Sequence, residues 1–96
     1  MKKFVYLFHD QWEPDKAVED AWMSWFGEIG ESVVDSGNPF GPGREVALTG
    51  RRDLPANGDT ATGYAIVNAD SMEGAEKLLE NCPFKTSVRI YEALAM

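Results

Sequence analysis

His9 is the only histidine of the chain, and imidazole is the one side chain whose ordinary pKa lies near neutrality. It follows the apolar run Phe4-Val5-Tyr6-Leu7-Phe8 and precedes Asp10. At a strand exit such a group can act as a general base oriented by a carboxylate, and Asp10 and Asp35 are the candidate partners. His9 and Asp35 are accordingly the candidate catalytic pair. The alternative is a strand-end histidine bonded to backbone or water. Arg44 and Arg89 are candidate anion binders, since a guanidinium near Tyr64 and Tyr91 can clamp a carboxylate or enolate and stack on a ring. Their alternative is an ion pair across an interface, with Glu92 or an acid of a second copy. Trp12, ahead of the first helix, is placed to cap a cavity. Tyr6, Trp12, Arg44, Tyr64, Arg89 and Tyr91 thus form the candidate ligand-binding set.

Other chemistries find little support. Cys82 precedes Pro83 at a predicted helix C-terminus, where the dipole disfavours a thiolate nucleophile. There is no Ser-His-Asp order and no phosphate-cradling glycine loop. One histidine and one cysteine leave mainly carboxylates for a zinc site, so neither metal nor cofactor is expected.

These residues must be positioned by a layout of strand, helix, strand, strand, helix, strand. Phe4 to Phe8 is short, aromatic and apolar throughout, which suits a strand at the centre of a sheet. Glu13-Pro14-Asp15 opens a helix, with proline tolerated in the first turn and acids at the positive end of the dipole. Val18, Trp22, Trp25, Phe26, Ile29 and Val33 recur at three- and four-residue spacing and form one apolar stripe. The helix is predicted to end near Asp35-Ser36-Gly37, with Gly37 as a left-handed cap. Asn38 to Gly43 is a Pro/Gly-rich shaped loop. Arg44 to Thr49 reads as the second strand and Gly50 to Asp59 as a long hairpin connection. Thr62 to Ala69 is the third strand. Ser71 caps a second helix whose buried stripe is Ala75, Leu78 and Leu79, and Thr86 to Glu92 is the last strand.

That order predicts an α+β fold: one antiparallel sheet with both helices on one face and the other face open. Ala65, Val67, Val88 and Ile90 suit the helix side. Tyr64, Asn68, Arg89 and Tyr91 then fall on the open side, joined by Tyr6 and by Phe4 and Phe8. A face this aromatic is poorly suited to water, and a second copy stacked on it would bury it and leave a pocket between the sheets.

Length and charge bound the function. Ninety-six residues correspond to one domain spanning 1–96, small enough for oligomerisation to add needed burial. The net charge is −7, and between His9 and Asp35 eight acids face one base, Lys16. Such a surface repels phosphate backbones, so nucleic acid is not an expected partner. No apolar run approaches the roughly 20 residues that span a bilayer, and a single cysteine fits a reducing cytoplasm.

The stretch Thr62-Gly63-Tyr64-Ala65-Ile66-Val67-Asn68-Ala69-Asp70-Ser71-Met72-Glu73-Gly74-Ala75-Glu76 resembles the Gly-Tyr strand and Ser-led helix of YCII-related proteins. Cys82-Pro83 and Ser87-Val88-Arg89-Ile90-Tyr91-Glu92 extend the likeness into the last strand. The resemblance implies a ferredoxin-like fold assembling as a dimeric α/β barrel. Some relatives carry a histidine on the first helix and an aspartate near its end. Here that helix has no histidine, Glu28 stands near the aspartate position, and Asn57-Gly58-Asp59-Thr60 replaces the Asp-Gly-Pro-Phe signature of another branch. That catalysis therefore does not transfer. The leading expectation is a homodimer binding a small carboxylated or aromatic metabolite between its sheets. The alternatives are a cofactor-independent enzyme, monooxygenase- or isomerase-like with His9 as acid–base, and a non-catalytic assembly module.

Overall fold

A computed structural model describes residues 1–11 and 15–96. Trp12 and the Glu13-Pro14 part of the predicted helix start lie outside the described residues. The elements are β1 (Lys2–Phe8), α1 (Lys16–Glu28), β2 (Val33–Asp35), β3 (Gly43–Ala47), β4 (Gly50–Leu54), β5 (Gly63–Ala69), α2 (Met72–Lys77) and β6 (Val88–Ala93). The fold is α+β, built on a four-stranded antiparallel sheet in the order β2-β5-β1-β6. As its apolar composition requires, β1 is central.

Local chemistry sets both helix starts. The Asp15 side chain accepts from Ala17 N at 2.9 Å, and Ser71 Oγ accepts from Gly74 N at 3.0 Å, each satisfying a first-turn amide without a helical partner. The end of α1 differs from the expectation. It stops at Glu28, a single 3₁₀ turn covers Gly30–Ser32, and Val33–Asp35 joins the sheet as its edge strand. Gly27 and Gly30 weaken helix propagation, and Val33-Val34 favours extended backbone. The second strand of the sheet is therefore β2, not Arg44–Thr49. The latter region pairs with the expected connection to make a separate hairpin, β3–β4. Gly50 at φ 143° allows the tight Leu48-Thr49 turn, and Ala47 pairs with Gly50 across it.

The sheet faces divide by cross-strand register, and this corrects the predicted placement of the rings. Phe4 and Tyr6 are 0% exposed and lie with Phe8 on the helix side. Their partners on β5 are Val67, Ala65 and Gly63. Small residues on one strand leave volume for large rings on the next, so rings and alanines share a face. The core adds Trp22, Trp25 and Ile29 of the first helical segment and Ala75 and Leu79 of the second. Both helices therefore cover this one face. Phe8 meets Trp22 edge-on at 5.0 Å and Trp25 packs on Phe26 at 4.8 Å, geometries that ring quadrupoles favour.

Two buried donors complete the junction at α2. This helix has only six residues, and beyond it Leu79 N turns back to Glu76 O at 3.0 Å. The Tyr6 hydroxyl donates to Ala75 O, and Trp25 Nε1 donates to Leu78 O at 2.8 Å. Carbonyls that a helix end leaves over are thus satisfied from β1 and α1. No helix among the described residues is long and apolar enough to cross a membrane.

Candidate functional site

Two groups of polar residues have chemistry to offer, one at the exit of β1 and one on the face of the sheet that the helices do not cover.

At the β1 exit, His9 and Asp10 are each 5% exposed. Asp10 Oδ1 accepts from Thr86 N at 2.8 Å, and its Oδ2 accepts from Lys85 N at 2.9 Å. Its own amide donates to Thr62 Oγ1 at 3.0 Å, and the Thr62 hydroxyl donates to Phe8 O at 3.1 Å. The His9 amide donates to Ser87 O at 2.9 Å. This network holds the end of β1 to the approaches of both β5 and β6. His9 Nδ1 lies 3.2 Å from Gly58 O. A carbonyl can only accept, so Nδ1 is the donor in this contact. Asp10, with both oxygens accepting amides, anchors backbone and does not orient the imidazole.

The open face carries, in register rows, Arg89–Leu7–Tyr64, then Tyr91–Val5–Ile66, then Ala93–Lys3–Asn68. Asp35 pairs with Ile66 at the edge. Its Oδ2 accepts from the Tyr64 hydroxyl at 3.2 Å and its Oδ1 from Gly37 N at 2.8 Å. Asp35 thus belongs to the Tyr64 group, and the structure does not join it to His9. Phe40 stacks on Tyr64, with centroids 5.5 Å apart and an interplanar angle of 16°. Arg89 and Tyr64 sit one strand to either side of Leu7, about 10 Å apart at the usual strand spacing. Arg89 is exposed and makes no ion pair among the described residues. Tyr91 is 52% exposed.

The remaining candidates lie elsewhere. Tyr6 is under the helices; burial, with the nearby Cys82 charge adding to it, pushes its phenol far above the ordinary value. Arg44 is on the β3–β4 hairpin, 3.1 Å from Asp53. Cys82 is half-buried, and burial chiefly, with the Asp10 charge beside it, lifts its thiol to about 12 against a bond to the Phe84 backbone. It is held in the inert thiol form. No group of three or more metal-ligating side chains occurs among the described residues.

Concave spaces lie away from both groups. A groove of about 390 Å³ runs between the helical segments past Glu28, Glu31 and Lys77, and one of about 540 Å³ lies at the hairpin base by Pro42 and Leu54. The open face is a surface until something covers it. Two contributors went unread in the sequence. Thr62 reads only as the start of the third strand, although a threonine before Gly-Tyr at a strand entry is a usual side-chain-to-backbone bonder. Phe40 lay in a loop whose path the sequence does not show.

No protein-family model matches the chain, and neither a curated protein nor a solved structure is significantly similar to it.

Proposed function

We propose that this chain is a ferredoxin-like, YCII-related protein that stacks its open sheet face on that of a second copy, as a dimeric α/β barrel, and binds a small carboxylated or aromatic metabolite between the sheets. The strand order β2-β5-β1-β6, with both helices against one face, supports the ferredoxin-like part. The resemblance over Thr62–Glu76 supports the family.

The observation that carries the binding reading is Arg89. It is a guanidinium without an acidic partner among the described residues, on a face that also presents Tyr64 and Tyr91. A planar cation on a face that presents two tyrosine rings suits an aromatic carboxylate, which takes two parallel N–H bonds and a stacking contact. Val5, Leu7 and Ile66 supply the apolar floor. The second copy supplies the cover that turns the face into a pocket.

The test is light scattering at tens of micromolar protein, followed by NMR titration with benzoate. A dimer whose Arg89 and Tyr64 resonances move with benzoate is expected. Arg89→Gln should weaken that binding by about tenfold or more, the worth of a charge-assisted hydrogen bond. A monomer, or benzoate shifts that Arg89→Gln leaves unchanged, would overturn the reading.

A further inference from the structure

We infer that the β3–β4 hairpin is an arm that clasps a second copy of this chain, an interaction that rests on the dimer reading above but uses a different surface. The arm comprises residues 43–54, and every one of them except Leu54 is exposed. Its strands pair with each other and with no strand of the main sheet. Val46 is 79% exposed and Leu48 at the tip is fully exposed.

A two-stranded hairpin alone in water is marginal. Its cross-strand pairs Arg44–Asp53 and Arg52–Glu45 are solvated ion pairs, which contribute little. Both outer edges also offer unpaired amides and carbonyls, which stable proteins cover. The arm nevertheless leaves the body from a firm base. Phe40 N donates to Thr62 O at 2.8 Å and its ring stacks on Tyr64. The Thr60 hydroxyl donates to Pro55 O at 2.7 Å on the return path. A rooted but uncovered arm is pre-organised for a partner. The radius of gyration of the whole chain is 14.3 Å, against about 12.5 Å for a compact chain of this length.

Charge selects another copy as that partner. The arm holds Arg44, Arg51 and Arg52 against Glu45 and Asp53, a net of +1, so with −7 for the whole chain the remainder carries −8. Arg51 has no ion pair among the described residues, and the rest of this same chain carries a net negative charge. Size agrees. Twelve arm residues with the nine open-face positions of the three register rows make twenty-one a side, within the roughly 20–30 of a stable interface.

The experiment is sedimentation equilibrium on the wild type, on V46D/L48D, on R51E and on the open-face variant Y91D, with circular dichroism of each. The dimer constant of V46D/L48D should weaken about 10- to 100-fold, as expected for losing two buried apolar contacts. R51E should weaken it less and flatten its salt dependence. Dichroism should not change, because the arm supports nothing in its own body. A photoreactive benzoylphenylalanine at Leu48, in a mixture of ¹⁵N-labelled and unlabelled chains, should give adducts of mixed mass. A wild-type dimer whose constant ignores the arm substitutions, or that yields only intrachain adducts, overturns the clasp and leaves the face pairing standing. Loss of dimer in Y91D alone assigns the interface to the sheet and likewise overturns the clasp. A monomeric wild type overturns both.

Discussion

The Tyr64 hydroxyl donates to Asp35 Oδ2 at 3.2 Å, joining the three-residue edge strand β2 to β5 through side chains where the backbone register is broken by a bulge between Val33 and Asp35. The bond lies on the face proposed to hold a ligand, so its two partners serve both edge and site. Tyr64→Phe should cost only about 0.5–1.5 kcal/mol, the net worth of an exposed hydrogen bond. The ring and its stack on Phe40 remain. Amide exchange should quicken in residues 33–37 and stay unchanged at the centre of β1; equal quickening in both would show that the bond does not act locally.

Asp10 is a buried carboxylate whose oxygens each accept a backbone amide. Asp10→Ala takes that acceptor from Lys85 N and Thr86 N; both residues are exposed, so water replaces part of it and each bond is worth about 1 kcal/mol. A loss of about 2 kcal/mol follows, read as a fall in Tm of roughly 8–16 °C for a domain of this size. Asp10→Asn, which keeps one carbonyl oxygen, should fall between. His9→Ala, which loses one bond to Gly58 O, should cost less than Asp10→Ala.

Gly37 shows where the backbone tolerates no side chain. It sits at φ 72°, and a Cβ there would stand 1.7 Å from Tyr64 O. Gly37→Ala must push β2 away from β5, so it should cost well over the roughly 1 kcal/mol of a strained left-handed alanine. Gly58→Ala is the control. Its φ is 87°, but its nearest neighbour, His9 O, would be 3.4 Å away, so only the strain applies. Urea midpoints of the two variants separate clash from strain.

Alkaline stability should depend on Cys82 and Tyr6. Burial lifts the Cys82 thiol from its ordinary 9.0 to about 12. Between those values the unfolded chain has lost a proton that the folded one keeps, so stability falls as pH rises and is fully present below about 9. Tyr6 is raised in the same direction, by burial and then by the Cys82 charge, and steepens the fall above its own ordinary pKa. Urea unfolding followed from about pH 8 to about pH 11 should show this slope, and Cys82→Ala should make its early part shallower. An unchanged slope in that variant would rule out the thiol as its source.

Much of the fold was legible because its signals are local. The apolar run of β1, the Ser71 cap and the alternation in β5 each act within a few residues. What escaped depends on distant partners. Val33-Val34-Asp35 continues the helical stripe by spacing, and only pairing with Val67 and Ile66 makes it a strand. Size alone assigns Phe4, Tyr6 and Phe8 to the open face, whereas the small partners Val67, Ala65 and Gly63 across the strand pair decide their face. For the site, Tyr64, Arg89 and Tyr91 could be grouped by strand alternation alone. The separation of Asp35 from His9 could not, because it follows from the path of the 36–40 loop along β5.

With extents of 41 × 39 × 18 Å, a lone copy is a plate, and a plate tumbles more slowly about its in-plane axes than a sphere of equal mass. Two such plates face to face would be nearly as thick as each is wide, so association would make rotational diffusion more isotropic while doubling the mass. Nitrogen relaxation rates measured along β1 and across α1 would then converge as concentration rises.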